Sequence, residues 1–245
     1  MGNPGSGVAG GPGEAGRGVL PAMVEGRAGP ALIAHGGGNT AALAGAAIAE
    51  RADFVEVDLW LHRGRFEARH ERAVYPLPVL FEKWYLRWAP RRPFGLAELL
   101  EEAAGRVRVF LDLKGGAEDA ARLVRRAIDE AGPKRPRIAA SAQQWRILRA
   151  IHAVAPEVET FYSIDVQAKL DLFLSVSERD RQPKGVSCRH SLLTAPLVQR
   201  LHDRGLWVVA WTVDDLDRAE SLAAWGVDGI TTHRTAEFRS ALLKL

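Results

Sequence analysis

The sequence predicts an α/β protein built as one (β/α)8 barrel, and three observations predict it. Eight short apolar runs alternate with eight amphipathic stretches from residue 31 onward. The runs are rich in Val and Ile and bounded by turn residues, the pattern of parallel strands covered on both faces. A length of 245 residues, 47% of them hydrophobic, suits a single domain of barrel size with a closed core.

The elements follow in order. ALIAH (31–35) is the first strand and a helical stretch lies near 40–51; DFVEVDLW (53–60) is the second strand. The rhythm then breaks. LHRGRFEARH (61–70) reads as an added hairpin arm, and 71–94 as a Pro-punctuated excursion. Long excursions on a barrel are usually active-site loops, so 61–94 is expected over the barrel mouth. The alternation resumes with a helix near 96–105, VRVFLDL (107–113), a helix near 117–131, RIAAS (137–141) and a helix near 143–154. It continues with VETFYS (158–163), a helix near 166–176, GVSCR (185–189) and a helix near 195–204. LWVVAWT (206–212), a helix near 215–225, VDGITT (227–232) and a helix near 234–244 complete it. An open doubly wound sheet is the rival, but it usually has fewer strands and a Gly-rich phosphate turn after the first. Gly36-Gly37-Gly38 stands at that place without matching G-x-G-x-x-G.

Residues 1–29 are Gly-rich with little to bury, so a disordered tail is expected there, with the barrel over 30–245. Met23 is an alternative start just before the first strand. The formal net charge is +3 and no dense Lys/Arg stripe appears, which argues against a nucleic-acid binder. That balance is compatible with anionic substrates or anionic lipid surfaces. The single cysteine, Cys188, permits neither an internal disulfide nor a zinc site, and reads as a buried strand residue. No apolar stretch approaches the roughly 18 to 20 residues of a spanning helix, and the N-terminus lacks the basic start and apolar centre of a secretory signal. A cytoplasmic location is the expectation.

Catalytic groups in such a barrel sit at the C-terminal ends of the strands. His35 ends the first strand. Glu56 and Asp58 in the second are spaced by two, so both side chains point to one side of it, and Asp112 and Lys114 repeat that spacing in the third. Three carboxylates without cysteines suit a hard divalent cation, Mg²⁺ or Ca²⁺, which would relieve their mutual repulsion with help from Lys114. The competing interpretation is a set of salt bridges inside the barrel. His70 closes the hairpin arm; alone it reads as a surface histidine, but with His35 it forms a candidate acid/base pair. Ser141, after the fourth strand, has no His-Asp pattern to make it a nucleophile and is expected to line the pocket. Asp214 is expected to cap the helix near 215. His190 is read as either a mouth residue or a surface cap, and His62, His152 and His202 as solvated or packed.

At these residues the sequence resembles the glycerophosphodiester phosphodiesterase family. The resemblance runs through LIAHGGGNT (32–40), ADFVEVDLWLHRGRFEARHE (52–71), FLDLK (110–114) and WTVDDLDRAESLAAWGVDGITTHRT (211–235). It implies the same barrel and a metal-dependent phosphodiesterase. His35 and His70 match the catalytic histidines, with His35 favoured as base and His70 as acid. Glu56, Asp58 and Asp112 match the metal ligands, Lys114 a phosphate-side lysine and Trp211 a residue lining the pocket. The departures are Gly36 for a phosphate-contacting arginine, Gly38 for a glutamate in a shortened loop, Glu71 for an aspartate, Asp112 for a glutamate and His233 for an aspartate. An aspartate ligand at 112 is also similar to the sphingomyelinase-D-like phospholipases, which share the barrel. Losing the arginine removes a bidentate phosphate clamp. The expected function is therefore hydrolysis of glycerophosphodiesters or related lipid headgroup diesters. The alternatives are lysophospholipase-D-like action at a membrane surface and a degraded, non-catalytic phosphate-binding barrel. WYLRW (84–88) with APRRPF mixes aromatics and arginines, so Trp84, Tyr85 and Trp88 are candidates for peripheral membrane contact; a loop packed over the mouth is the other possibility.

Overall fold

The computed structural model describes residues 22–25, 29–74, 76–82, 85–116, 119–176 and 183–242. Most of the expected tail over 1–29, and Trp84, lie outside the described residues.

The first half contains β1 (Ala31–Ala34), α1 (Ala41–Ala49), β2 (Phe54–His62), β3 (Arg65–Ala68), β4 (Arg72–Ala73), β5 (Val79–Glu82), β6 (Tyr85–Trp88), α2 (Leu96–Ala103), β7 (Arg108–Lys114) and α3 (Ala120–Ala131). The second half contains β8 (Ile138–Ala142), α4 (Trp145–Val154), β9 (Glu159–Ile164), α5 (Gln167–Val176), β10 (Gly185–Arg189), α6 (Ala195–His202), β11 (Trp207–Trp211), α7 (Leu216–Ala224), β12 (Gly229–Thr232) and α8 (Thr235–Leu242). Eight parallel strands run in the order β1-β12-β11-β10-β9-β8-β7-β2, and a β1–β2 pairing closes them into a barrel. The open-sheet rival is thereby excluded.

The strands sort their side chains into two cores because successive residues face opposite sides. In β7, Val109, Leu111 and Leu113 face the helices and join the outer core, while Phe110 joins the inner one. The inner core is a floor of rings. Phe110 lies 6.2 Å from Phe54 and 5.3 Å from Phe161, which lies 6.3 Å from Trp207. Met23 and Val24, inside the expected tail, pack beneath that floor. The same parity carries upward: with Phe54 inward, Glu56 and Asp58 are inward, and with Phe110 inward, Asp112 and Lys114 are inward. Cys188 is buried on β10, and burial pushes its thiol up to about 12.

The helices bury one stripe each. In α3 the buried set is Ala120, Ala121, Leu123, Val124, Ala127 and Ile128, a helical repeat. Thr40 caps α1 by accepting from the Leu43 N–H, and Thr194 caps α6 through Leu197. The cap of α7 is Asp215, which accepts from the Arg218 N–H at 2.8 Å, so Asp214 does not play the expected capping part.

The insertion has more order than an excursion. β3 turns back antiparallel on β2, so the hairpin arm is present. β4, β5 and β6 form a separate antiparallel sheet. Arg72, Phe81 and Leu86 stand in one cross-strand row, and Val79 opposite Trp88 shares their face. That face is exposed: Phe81 42%, Leu86 67% and Trp88 75%. The other face carries Leu80, which is buried, with Glu82, Tyr85 and Arg87. The first face is thus largely open to solvent at Leu86 and Trp88, and from the second Glu82 reaches His70.

Candidate active site

A cavity of about 230 Å³ opens among the C-terminal ends of the barrel strands. His35, Glu56, His70, Asp112, Lys114 and Trp211 border it. Ser141, Ser163, Ser187, Thr212 and Thr231 add a ring of hydroxyls, and Phe110 from the aromatic floor closes its base. Six of the seven residues expected at the site therefore line one space. The seventh, Asp58, is fully buried beside it.

The carboxylates are placed by neighbouring strands. Asp58 on β2 is in register with Asp112 on β7. Lys114 Nζ lies 2.7 Å from Asp58 Oδ1 and also pairs with Asp112. Ser141 donates to Asp112 Oδ1 at 3.2 Å. Glu56 accepts the Gly36 N–H at 2.6 Å. Asn39 clamps Asp58 twice, donating its amide to Oδ2 at 2.8 Å and accepting the Asp58 N–H at 2.9 Å.

One ligand atom each from Glu56, Asp58 and Asp112 lies within 4.8 Å of the others. Burial first, then the Asp58 and Asp112 charges, pushes the Glu56 carboxyl well above its ordinary value. Burial also works against Asp58, but Lys114 and Asn39 overcome it and hold that carboxyl low. Lys114 is desolvated too, yet Asp112 and Asp58 hold its ammonium above its usual range. Three acids facing one cation leave a deficit of positive charge. An all-oxygen donor set of this kind fits a hard divalent cation.

Both histidines reach the cavity. The His35 ring is 6.4 Å from that of His70 and edge-on to it, with an interplanar angle of 80°. His35 Nδ1 is 3.4 Å from Thr212 Oγ1. Burial, with His233 next, lowers its pKa to about 4. His70 Nδ1 lies 2.8 Å from Glu82 Oε1, and Glu82 also accepts from the Tyr85 hydroxyl at 2.8 Å.

Three participants were not among the residues expected at the site. Glu82 reaches His70 from β5, inside the excursion. Asn39 follows the glycine run. His233, its ring 4.4 Å from that of His35, is held by Asp214, which accepts its N–H at 2.8 Å and lies 2.7 Å from its Nδ1. Its place just after β12, at the catalytic end of a strand, is the signal that points to it. His190 forms a turn after β10 and does not border the cavity, while His202 is paired with Asp228 at 3.0 Å.

The departures in the first loop have a spatial reason. A Cβ on Gly38 would stand 2.8 Å from Val57 Cβ and 3.1 Å from the Glu56 carbonyl. Gly36 has φ +62°, a conformation that side-chain-bearing residues seldom adopt. Gly38 has no room for a side chain, and at Gly36 one would sit in a strained backbone conformation.

Comparison with known proteins follows the geometry. The model of the glycerophosphoryl diester phosphodiesterase family matches residues 101–237. No curated protein matches the sequence. Among solved structures, a glycerophosphodiester phosphodiesterase from Parabacteroides distasonis superposes with TM-score 0.70 at 20% identity, covering 88% of this chain and 98% of its own. One from Agrobacterium tumefaciens gives 0.65 at 19%, covering 86% and 99%. A phosphodiesterase from Oleispira antarctica, solved with the product sn-glycerol-3-phosphate, gives 0.70 at 18%, covering 86% and 96%. At these identities the likeness is one of fold. The family match is one of sequence and spans more than half of the chain, from α2 through the last barrel strand. The chain belongs to the glycerophosphoryl diester phosphodiesterase family and is a phosphoric diester hydrolase.

Proposed function

We propose that this chain hydrolyses glycerophosphodiesters at a divalent cation, Mg²⁺ or Ca²⁺, using His35 as base and His70 as acid. The supporting observation is the pair of imidazoles that border one cavity together with carboxylates, their rings 6.4 Å apart. A phosphodiester seated in that cavity would have an imidazole within reach of the nucleophile and another within reach of the leaving oxygen, the positioning a displacement needs. Glu56, Asp58 and Asp112 would hold the cation, whose chemistry when bound is to neutralise charge on a non-bridging phosphate oxygen.

His35, with its pKa near 4, is neutral at physiological pH and has a lone pair for the nucleophile's proton. Glu82 holds the His70 ring so that its other nitrogen faces the leaving oxygen. Lys114 binds phosphate oxygens, and so does the Trp211 indole N–H, which is buried without a partner among the described residues. The nucleophile is water or a neighbouring substrate hydroxyl; ³¹P NMR separates the two, because the second route passes through a cyclic phosphate. The main test is turnover of glycerophosphocholine with EDTA, then with Mg²⁺ or Ca²⁺ restored. Metal-restored turnover is expected. No turnover, together with no cation binding, would leave a non-catalytic barrel.

A second reading has its own observation: the exposed apolar residues Leu86 and Trp88 of the β4–β6 sheet. They share one face of it and, with Arg91 and Arg92 following, have the chemistry of a lipid interface. Tyr85 belongs to the opposite face, its hydroxyl turned to Glu82. Co-sedimentation with anionic vesicles, lost in Leu86→Ser and Trp88→Ser, is the expected result; equal binding by these variants rules the reading out.

A further inference from the structure

A second, larger space adjoins the first. It measures about 840 Å³ and lies between the ends of β2 and β7 and the small sheet. His70, Asp112, Lys114 and Gln143 border both spaces. His35 and Glu56 border only the inner one. Trp60, Arg72, Phe81 and Gln144 border only the outer one. A phosphodiester centred where the two meet would send one ester arm into each.

The two spaces differ in chemistry. The inner one is small and walled by hydroxyls, which suits a short polyol such as glycerol. The outer one has aromatic walls in Trp60 and Phe81, amides in Gln143 and Gln144, and a distinctive balance of charge. Its acids are engaged: Glu82 with His70 and Tyr85, and Asp112 with Lys114 and Ser141. Arg69 is engaged as well, bonded to Glu67 and to the Glu71 carbonyl, with its guanidinium 5.3 Å from the Trp60 ring centroid. Arg72 is exposed, in register with Phe81, and has no hydrogen-bond or ion-pair partner among the described residues. The uncommitted charge in the outer space is therefore positive.

We propose that the outer cavity is the subsite of the leaving alcohol and that Arg72 selects an alcohol bearing an anionic group. The assignment rests on the diester-hydrolase reading above. The glycerol arm stays in the inner space. The nucleophile bonds to phosphorus, the P–O bond to the outer arm breaks, and that oxygen takes its proton from His70 and departs as the free alcohol. A carboxylate or second phosphate on that alcohol would meet a guanidinium, for which planar, two-oxygen anions are the natural partners.

Glycerophosphoserine and glycerophosphoethanolamine differ by one carboxylate on the leaving arm, and so isolate the effect. The expected result is that kcat/KM favours the serine diester by about fivefold, carried by KM, as for a partly exposed ion pair. Arg72→Gln brings the ratio near one by raising KM for the serine diester. Arg91→Gln, a change in a neighbouring exposed arginine that borders neither space, leaves the ratio as it was. ³¹P NMR should show glycerol phosphate as the product. A ratio near one in the wild type, a ratio unaltered by Arg72→Gln, an equal fall in Arg91→Gln, or phosphoserine as product each overturns the assignment. Turnover of neither diester instead overturns the hydrolase reading itself.

Discussion

His35 is pressed against His233 on one side and open to the cavity on the other, and its burial keeps the imidazole neutral. His70 is half-exposed and depends on Glu82 for its orientation. The two histidines therefore respond differently to mutation of their surroundings. His35→Ala and His70→Ala should each lower kcat by about 10²-fold or more, as expected for loss of a general base or acid. Glu82→Gln keeps a hydrogen-bonding side chain but removes its charge, and should cost less, about tenfold, in kcat with little change in KM. Steady-state kinetics of the three variants gives the ranking; an unaffected Glu82→Gln would remove Glu82 from the site. At this scale the sequence was informative wherever spacing alone placed a side chain. Glu56 with Asp58, and Asp112 with Lys114, each lie two apart on a strand, and strand parity does the rest. Glu82 and Asn39 were illegible as site residues because each reaches its partner from a separate segment, brought there by tertiary packing, whereas His233 stood at a strand end and could have been read from it.

Strands and helices of the barrel were legible because each has one environment: apolar runs covered on both faces, and helical stripes laid over them. The β4–β6 sheet was not. Its segment carries Pro76, Pro78, Pro90 and Pro93, and Phe81, Leu86 and Trp88 are exposed while Leu80 is buried, so neither proline content nor hydrophobic alternation marks it as a packed sheet. The first loop illustrates how tightly an element can be specified. Gly38 donates its N–H to the Glu56 carbonyl at 2.7 Å, and its missing side chain is what allows that approach. Gly38→Ala should destabilise the protein by about 1–3 kcal/mol, the range for overpacking, and should also weaken cation binding, because the strand displaced carries Glu56. Thermal melts and a cation titration of the same variant check both. A variant with unaltered Tm would show that β2 yields at no cost.

For the whole molecule, the unbalanced carboxylates predict that ligand and fold are linked. A divalent cation that binds only the folded site should raise Tm in a concentration-dependent way, by about 2.7 kcal/mol of stability at a hundred times its Kd. Differential scanning fluorimetry with Mg²⁺, Ca²⁺ and EDTA measures it, and a Tm indifferent to all three would contradict the cation site. A second linkage lies at the barrel's far end. Asp228 accepts the Val208 N–H at 2.7 Å and pairs with His202, raising the histidine's pKa above its ordinary 6.5. A histidine raised on folding contributes stability that is complete below pH 6.5 and lost as pH rises through the folded value. The Tm gap between wild type and His202→Asn should therefore be widest on the acid side and close on the alkaline side.

The β1–β2 closure has a practical consequence. Only Ile33 with Phe54 and Ala34 with Val55 are in register there. Glu56, through the Gly36 N–H, and Asp58, through Asn39, fasten the rest of that seam. The acids assigned to the cation are thus also rivets of the closure. A Glu56→Ala or Asp58→Ala protein chosen as an inactive control would be a loosened barrel as well as a silent one, with faster amide hydrogen exchange along β1. A control meant to be inert yet sound should be made at His35, whose ring meets Thr212 and His233 but makes none of the bonds that fasten β1 to β2.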